Sequence, residues 1–239
     1  MAAGEGKRLH PFTLKSPKPL LEVGQEPLLQ RSLDALSSAG IKDIVIITGY
    51  KRESIRRVTV PSLRITCQFN PFYRSTDDMA SLWFARPYVE GEDFVHLHGD
   101  LLYHPGILYR CLDQRASAIL YDSSKSDREA MKIRVEKGIY VESRKNLPAI
   151  LTSGEFVGIN KFAASVGVRL FQEAELLMEG GEFRAYDTEA LNNIAKHVKV
   201  RAIDIAGLPW IEIDSPDDLE IARREILPRI EASVRSERV

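Results

Sequence analysis

The chain has 239 residues, 44% of them hydrophobic, enough for the core of one large α/β domain or a domain with excursions. Its formal net charge of −1 supplies no bulk basic field for nucleic acid. No apolar stretch approaches the ~18 to 20 residues that span a bilayer, nothing ahead of the first glycines reads as a signal peptide, and no repeat or low-complexity segment is present.

The chain opens on Gly4-Glu5-Gly6-Lys7-Arg8-Leu9-His10-Pro11-Phe12-Thr13, and Pro17-Lys18-Pro19-Leu20-Leu21 follows. Glycine lets backbone approach phosphate closely, because no Cβ intervenes. Successive amides in such a turn form an anion-binding concavity. Arg8 and Lys18 can neutralise phosphate charge, with Lys7 the weaker candidate. Lys18 stands between prolines that restrict the backbone, so its ammonium is a well-placed point charge. The run is not a P-loop, which needs G-x-x-x-x-G-K-[ST]. Nor is it a dinucleotide fingerprint, because Leu9 replaces the third glycine of G-x-G-x-x-G.

Beyond this run, strand-like and helix-like segments alternate. Leu28, Leu29, Leu33 and Leu36 form a helical stripe that Gly40 is placed to end. Ile44 to Ile47 reads as a short buried parallel strand, and Arg64 to Phe69 alternates like another. Ser75 and Thr76 precede Asp77 and Asp78, an N-cap with acid in the first turn of an apolar run from Met79 to Ala85. Phe94 to Leu97 is a strand with Asp100 just past its end; Pro105 to Leu112 is helical and Ala118 to Tyr121 a strand. Met131 to Val135 and Ile139 to Val141 flank Lys137-Gly138 as a hairpin. Phe156 to Ile159 is a strand, followed by helices over 162–178 and 186–197 and strands over 198–205 and 210–214. Ser215-Pro216-Asp217-Asp218 starts a last helix over about 216–233, and the charged tail from Pro228 to Val239 is expected to fray. This is a βαβ succession with a mixed β insertion: an α/β, doubly wound, Rossmann-like and mostly parallel sheet, read as a single domain over 1–228 with a tail over 229–239.

Ligands in such sheets sit at the carboxyl ends of strands. Asp100 and Asp214 both fall there, and two carboxylates beside a basic phosphate loop suit one Mg²⁺. The five histidines show no ligand spacing, and His96 and His98 alternate on a strand as satisfied polar residues rather than zinc ligands. Cys67 and Cys111 have no C-x-x-C or metal pattern and read as core thiols of a cytoplasmic protein.

The N-terminal runs resemble the signature of nucleotidyltransferases that attach an NMP to a phosphate ester, G-x-G-x-R-L-x-P-x-T followed by P-K-P-L-L. Asn70-Pro71-Phe72-Tyr73 with Ser81-Leu82, Gly154 to Ile159 and Trp210 to Asp214 are similar to motifs of the small cytidylyltransferases acting on phosphocholine or 2-aminoethylphosphonate. The resemblance runs from residue 2 to about 223. It implies the nucleotide-diphospho-sugar transferase-like fold and CMP transfer from CTP to a small phosphate or phosphonate. It implies Lys18 and Arg8 as catalytic residues and Mg²⁺ on Asp100 and Asp214. Nucleotide contacts would come from Ala2, Ala3, Gly4, Glu5, Gly6, Ser81 and Asp100. Acceptor contacts would come from Tyr73, Asp78, Lys132, Glu155 and Glu212. Trp83, Phe156 and Trp210 are further π faces for a quaternary ammonium, each with an equal reading as packing. Asp77 and Asp78 stand where those enzymes often carry Asn-Asn, which leaves the acceptor open.

In the resembled family about five or six apolar residues lead into Ala-Ala-Gly as a central strand, buried on both faces of a parallel sheet. Here Met1 stands alone before Ala2. The expectation is a shortened or mis-started sequence, or a fold without its first strand. Two other readings stay in view: a sugar-1-phosphate nucleotidyltransferase using UTP or dTTP, and a nucleotide-binding regulatory subunit without turnover. The expected partners are CTP and the small acceptor, with no nucleic acid and no membrane span. A homo-oligomer stays open.

Overall fold

A computed structural model describes residues 1–125, 127 and 129–236. In chain order its strands are β1 Glu22–Val23, β2 Glu26–Pro27, β3 Asp43–Thr48, β4 Arg64–Phe69, β5 Phe94–Leu97 and β6 Leu101–Tyr103. They continue with β7 Ala118–Asp122, β8 Lys132–Glu136, β9 Ile139–Arg144, β10 Gly154–Phe162, β11 Arg201–Asp204 and β12 Trp210–Glu212. The helices are α1 Phe12–Lys15, α2 Leu28–Ser38, α3 Arg52–Ile55, α4 Asp78–Trp83 and α5 Arg86–Val89. After them come α6 Pro105–Leu112, α7 Ala164–Glu179, α8 Asp187–Ala195, α9 Pro216–Ile221 and α10 Leu227–Ser236. Among the described residues no helix is long and apolar enough to cross a membrane.

The chain forms two compact units. The first takes Met1–Arg74, His98–Leu108 and Leu208–Val239. In it β3 and β4 pair in parallel, from Asp43 opposite Arg64 to Thr48 opposite Phe69. The N-terminal residues lie along β3: the Ala2 amide donates to the Ile47 carbonyl at 2.8 Å, and the Tyr50 amide donates to the Ala3 carbonyl at 2.9 Å. The leucine stripe of α2 behaves as its spacing requires, with Leu29 and Leu33 packed on Ala2, Ile46 and Ile55. Gly40 follows at φ 82, the left-handed conformation that ends helices. β12 runs antiparallel to β6, with Trp210 opposite Tyr103 and Glu212 opposite Leu101. Under that pair Leu102 and Ile213 join Leu9, Leu28, Leu219 and Ile226 in a second apolar cluster. The last helix, expected to about residue 233, runs through Ser236 in place of a fraying tail, because Ile230 and Val234 repeat at helical spacing and pack on that cluster; residues 237–239 of the expected tail lie outside the described residues.

The second unit takes Ser75–Leu97 and Tyr109–Gly207. Its six-stranded sheet has the order β5-β10-β7-β11-β9-β8. Only β7 and β11 are neighbours in parallel; β10 enters antiparallel to both β5 and β7. The sheet is therefore mixed, with less parallel pairing than the alternation of elements suggested. The cause is the hairpin β8–β9, which returns the chain so that β10 inserts between two strands of opposite direction. Lys137 and Gly138 turn that hairpin with φ 50 and 74, the two positive values a type I′ turn needs. β10 changes register between Phe156 and Asn160, and Gly158 at φ 79 accommodates the bulge. At α4 the N-cap is Asp77, the residue after the Ser75-Thr76 pair.

Candidate active site

The glycine run leaves β3 as an open loop. Gly6 adopts φ 61, and the Thr13 hydroxyl donates to its carbonyl at 2.8 Å. The Leu9 amide donates to the same oxygen at 3.0 Å, which closes a short 3₁₀ turn over Lys7–Leu9. The amides of Gly4, Glu5 and Gly6 donate to no other described residue. A row of unbonded N–H groups with no Cβ over Gly4 is an anion cradle. Lys7 above all, then Arg74, hold the Glu5 carboxyl below its ordinary range, with contacts of 3.0 Å each.

Two glycines fix where this run lies. A Cβ on Gly99 would come within 2.1 Å of the Met1 carbonyl oxygen. One on Gly49 would come within 2.5 Å of the Ala3 carbonyl oxygen and 2.7 Å of Tyr73.

Lys18 follows from the second run. Pro17 and Pro19 are both buried, and the side chain between them is only 12% exposed. Its Nζ donates to Asp100 Oδ2 at 2.7 Å and to Asp214 Oδ1 at 2.6 Å. Arg8, far more open, pairs with Asp214 Oδ2 at 2.6 Å. The carboxylates come from two strand ends: Asp100 precedes β6, Asp214 follows β12, and the Ile213 amide donates to the Asp100 carbonyl at 3.0 Å. Behind Asp214 a capping box opens α9, with Ser215 and Asp218 bonding reciprocally. Asp218 Oδ2 also accepts the Asp214 amide at 3.0 Å.

The charges interact strongly. Burial works to lower the Lys18 pKa, but Asp100, Asp214 and Glu212 outweigh it and hold the ammonium above its usual range. Burial works to raise Asp100, yet Lys18 and His98 keep its carboxyl below the ordinary value. Glu212 is pushed up to about 7, by desolvation and by the negative charges of Asp100 and Asp214. Its side chain keeps an exposed surface, so like-charge crowding is the part of that shift with a clear structural basis. Three carboxylates crowd around Lys18 and Arg8 here.

Of the residues singled out from sequence, Arg8, Lys18, Asp100, Glu212 and Asp214 meet in this unit beside the loop of Ala2, Ala3, Gly4, Glu5 and Gly6. Tyr73 lies against Gly49 beside the Ala3 carbonyl of the same run. Ser81, Asp78, Lys132 and Glu155 belong to the second unit. There Ser81 is buried in α4, which Asp78 begins, and Glu155 stands opposite Lys132 across β10 and β8. Glu155 accepts from the Asp127 amide, and desolvation leads the causes that raise its pKa. Lys132 donates to the Lys145 carbonyl at 2.8 Å. Phe156 and Trp210, offered as π faces, are 7% and 4% exposed and serve packing. Sequence reasoning missed Arg74 and His98. His98 carries a signal in its spacing, two residues before Asp100; it offers a donor atom within 4.8 Å of those of Asp100 and Glu212.

A glycine cradle and a lysine between two strand-end carboxylates stand on a mixed α/β frame. Residues 1–118 match the family model described as Nucleotidyl transferase. The CMP-5'-(3-aminopropyl)phosphonate synthase of Streptomyces rubellomurinus is 26% identical over 233 residues, covering 91% of this chain and 37% of that protein. The CTP:phosphoglutamine cytidylyltransferase of Campylobacter jejuni is 24% identical over 245 residues, covering 92% and 96%. The solved CTP:phosphocholine cytidylyltransferase from Streptococcus pneumoniae has the same fold, with TM-score 0.76 at 22% identity over 95% of this chain and 96% of that one. The chain spans about half or less of the length of the first curated relatives it matches.

Proposed function

We propose that the protein transfers CMP from CTP to a small phosphate or phosphonate and releases pyrophosphate. The observation that carries this reading is Lys18, held between Asp100 and Asp214 beside a loop with unbonded amides. An acceptor oxygen, already anionic, attacks the α-phosphorus in line; the bond from that phosphorus to the bridging oxygen breaks, and pyrophosphate leaves with the electron pair. No protein base is needed, so the chain's work is alignment and charge stabilisation. Amides of Gly4 to Gly6 hold the outer phosphates. An ammonium has three N–H donors, and Lys18 uses two on the carboxylates, which leaves one for the α-phosphate. Arg8 keeps donors of its guanidinium for the leaving pyrophosphate.

The site has the chemistry for a divalent ion. Asp100 Oδ1 is buried with no hydrogen-bond partner. Asp100 with Asp214 would hold Mg²⁺, which supplies neutralisation of phosphate charge when bound.

For the acceptor we infer a small zwitterion of the phosphocholine or 2-aminoethylphosphonate type. Within the first unit, Glu212 offers a carboxylate for its cationic end and Tyr73 a π face. The names of the relatives, on aminopropylphosphonate, phosphoglutamine and phosphocholine, support a small charged acceptor. The test is pyrophosphate release with CTP, UTP and dTTP, each with phosphocholine, 2-aminoethylphosphonate or glucose 1-phosphate, and products read by mass spectrometry. CTP with a zwitterionic acceptor should lead by more than ~10-fold in kcat/KM. UTP or dTTP with the sugar phosphate as the best pair would replace this reading, and nucleotide binding without turnover would make the chain a regulatory subunit.

A further inference from the structure

Glu5 sits in the middle of the amide cradle, and its side chain holds two cations that have no part in the transfer step described so far. Lys7 Nζ lies 3.0 Å from Glu5 Oε2, and Arg74 Nε donates to Oε1 at 3.0 Å. The carboxylate is sheltered at 17% exposure, whereas the Lys7 and Arg74 side chains are 77% and 72% exposed. Arg74 comes from the segment after β4, 69 positions away in sequence. Its neighbour Tyr73 brings it there. Tyr73 packs on Gly49, where a Cβ would come within 2.7 Å of it, and the Arg74 guanidinium lies 5.6 Å from the centroid of its ring. Exposed ion pairs contribute little to stability, so both contacts of Glu5 open easily.

We propose that Glu5 holds Lys7 and Arg74 in reserve for the outer phosphates of the bound nucleotide and takes them back as pyrophosphate leaves. The inference rests on the reading of the loop as the phosphate site. The Glu5 amide belongs to the cradle, so phosphate bound there lies within one side-chain length of the Glu5 carboxylate. Its charge repels that carboxylate and attracts both cations. Lys7 carries its ammonium on a flexible stem with three donors. The Arg74 guanidinium has five N–H donors and gives Nε to Glu5, so its fork also suits phosphate oxygens. Arg74 is then a further triphosphate contact, and Glu5 is a positioning residue that acts through it and through Lys7. A carboxylate competing for the same cations weakens the hold on triphosphate and on pyrophosphate alike, which favours release of the product.

The experiment is calorimetric titration of the full chain with inorganic tripolyphosphate and with pyrophosphate, which needs no turnover. Glu5→Gln should tighten both by about 3-fold or more, since the cations no longer break a pair to reach phosphate. Arg74→Gln should weaken both by about 5- to 10-fold, and Arg74→Lys should restore part of the loss, having the charge without the fork. The cost of Arg74→Gln should be larger when Glu5 is already Gln, so the two changes do not add. A carboxylate that only braces the loop gives the opposite sign, because its loss would loosen the cradle and weaken binding. Glu5→Gln that binds either anion no better than wild type overturns the proposal, and so does Arg74→Gln that binds like wild type; both results leave the cradle as the phosphate site. Wild type that binds no tripolyphosphate removes the phosphate reading of the loop and this inference with it.

Discussion

Replacing Lys18 by Met tests whether this lysine is both strut and catalyst. The variant keeps the length of the side chain and removes the charge that Asp100 and Asp214 share. Breaking a buried ion pair from one side costs about 3–5 kcal/mol, because the remaining charge is left unpaired. Asp100 and Asp214 are 21% and 32% exposed, and Arg8 still holds Asp214, so the loss here should be smaller. At about 2–3 kcal/mol it lowers Tm by roughly 4–12 °C in a chain of this size. Asp100→Asn in the same chain removes one orphaned charge and should recover about half of that loss. Activity should behave differently. If Lys18 contacts the α-phosphate only in flight, kcat and kcat/KM fall together by on the order of a hundredfold or more. Asp100→Asn should not restore them. The assay is pyrophosphate release with CTP beside a thermal melt of both variants and the wild type. A Lys18→Met protein that melts like wild type would refute the ion-pair argument, and one altered only in KM for CTP would reduce the lysine to a binding group.

The glycines around the phosphate loop separate two kinds of loss. Gly99→Ala and Gly49→Ala put a methyl into the Met1 and Ala3 carbonyls, so each should cost about 1–3 kcal/mol by thermal melt. Gly4→Ala meets nothing within 4 Å, so it should melt like wild type yet raise KM for CTP; normal kinetics there would remove the loop from the phosphate site. Burial pushes the Cys111 thiol up to about 12, and it raises the half-buried Cys67 less far from its ordinary value. Native protein at pH 8 should therefore show Cys67 reacting slowly with a disulfide reagent and Cys111 reacting only after unfolding. Fast modification of Cys111 in the native state would contradict its packing.

Local patterns in the sequence carried the elements well. The leucines of α2, the Lys137-Gly138 turn and the Ser215-Pro216-Asp217-Asp218 start each express a short-range rule, and each stands where its rule puts it. Strand direction does not have that property. Nothing within Gly154–Phe162 says whether it runs with or against β7; the answer depends on the hairpin that precedes it. The last helix was legible to about residue 233, but its packing was not: its apolar residues are few among charged ones, and their contact with α9 and its neighbours makes the segment pack. In the site, Lys18, Arg8 and the aspartates were legible because a motif fixes their spacing. His98 was read as an ordinary strand residue because its significance depends on Glu212, more than a hundred positions away.

The capping box after Asp214 has a consequence for how this chain tolerates change. Asp218 touches no phosphate-facing group, yet its Oδ2 receives the amides of Asp214 and Ser215 at 3.0 and 2.7 Å. One carboxylate therefore both starts α9 and sets the backbone from which Asp214 projects. Losing a cap costs about 1 kcal/mol, small for a chain of this size. The same loss lets the Asp214 backbone drift, and the pairs with Lys18 and Arg8 depend on its position. A mutational screen scored by turnover would group Asp218 with the reacting residues, whereas one scored by abundance would pass over it. The gap between those two scores marks a helix start that works as a mounting for the Asp214 carboxylate.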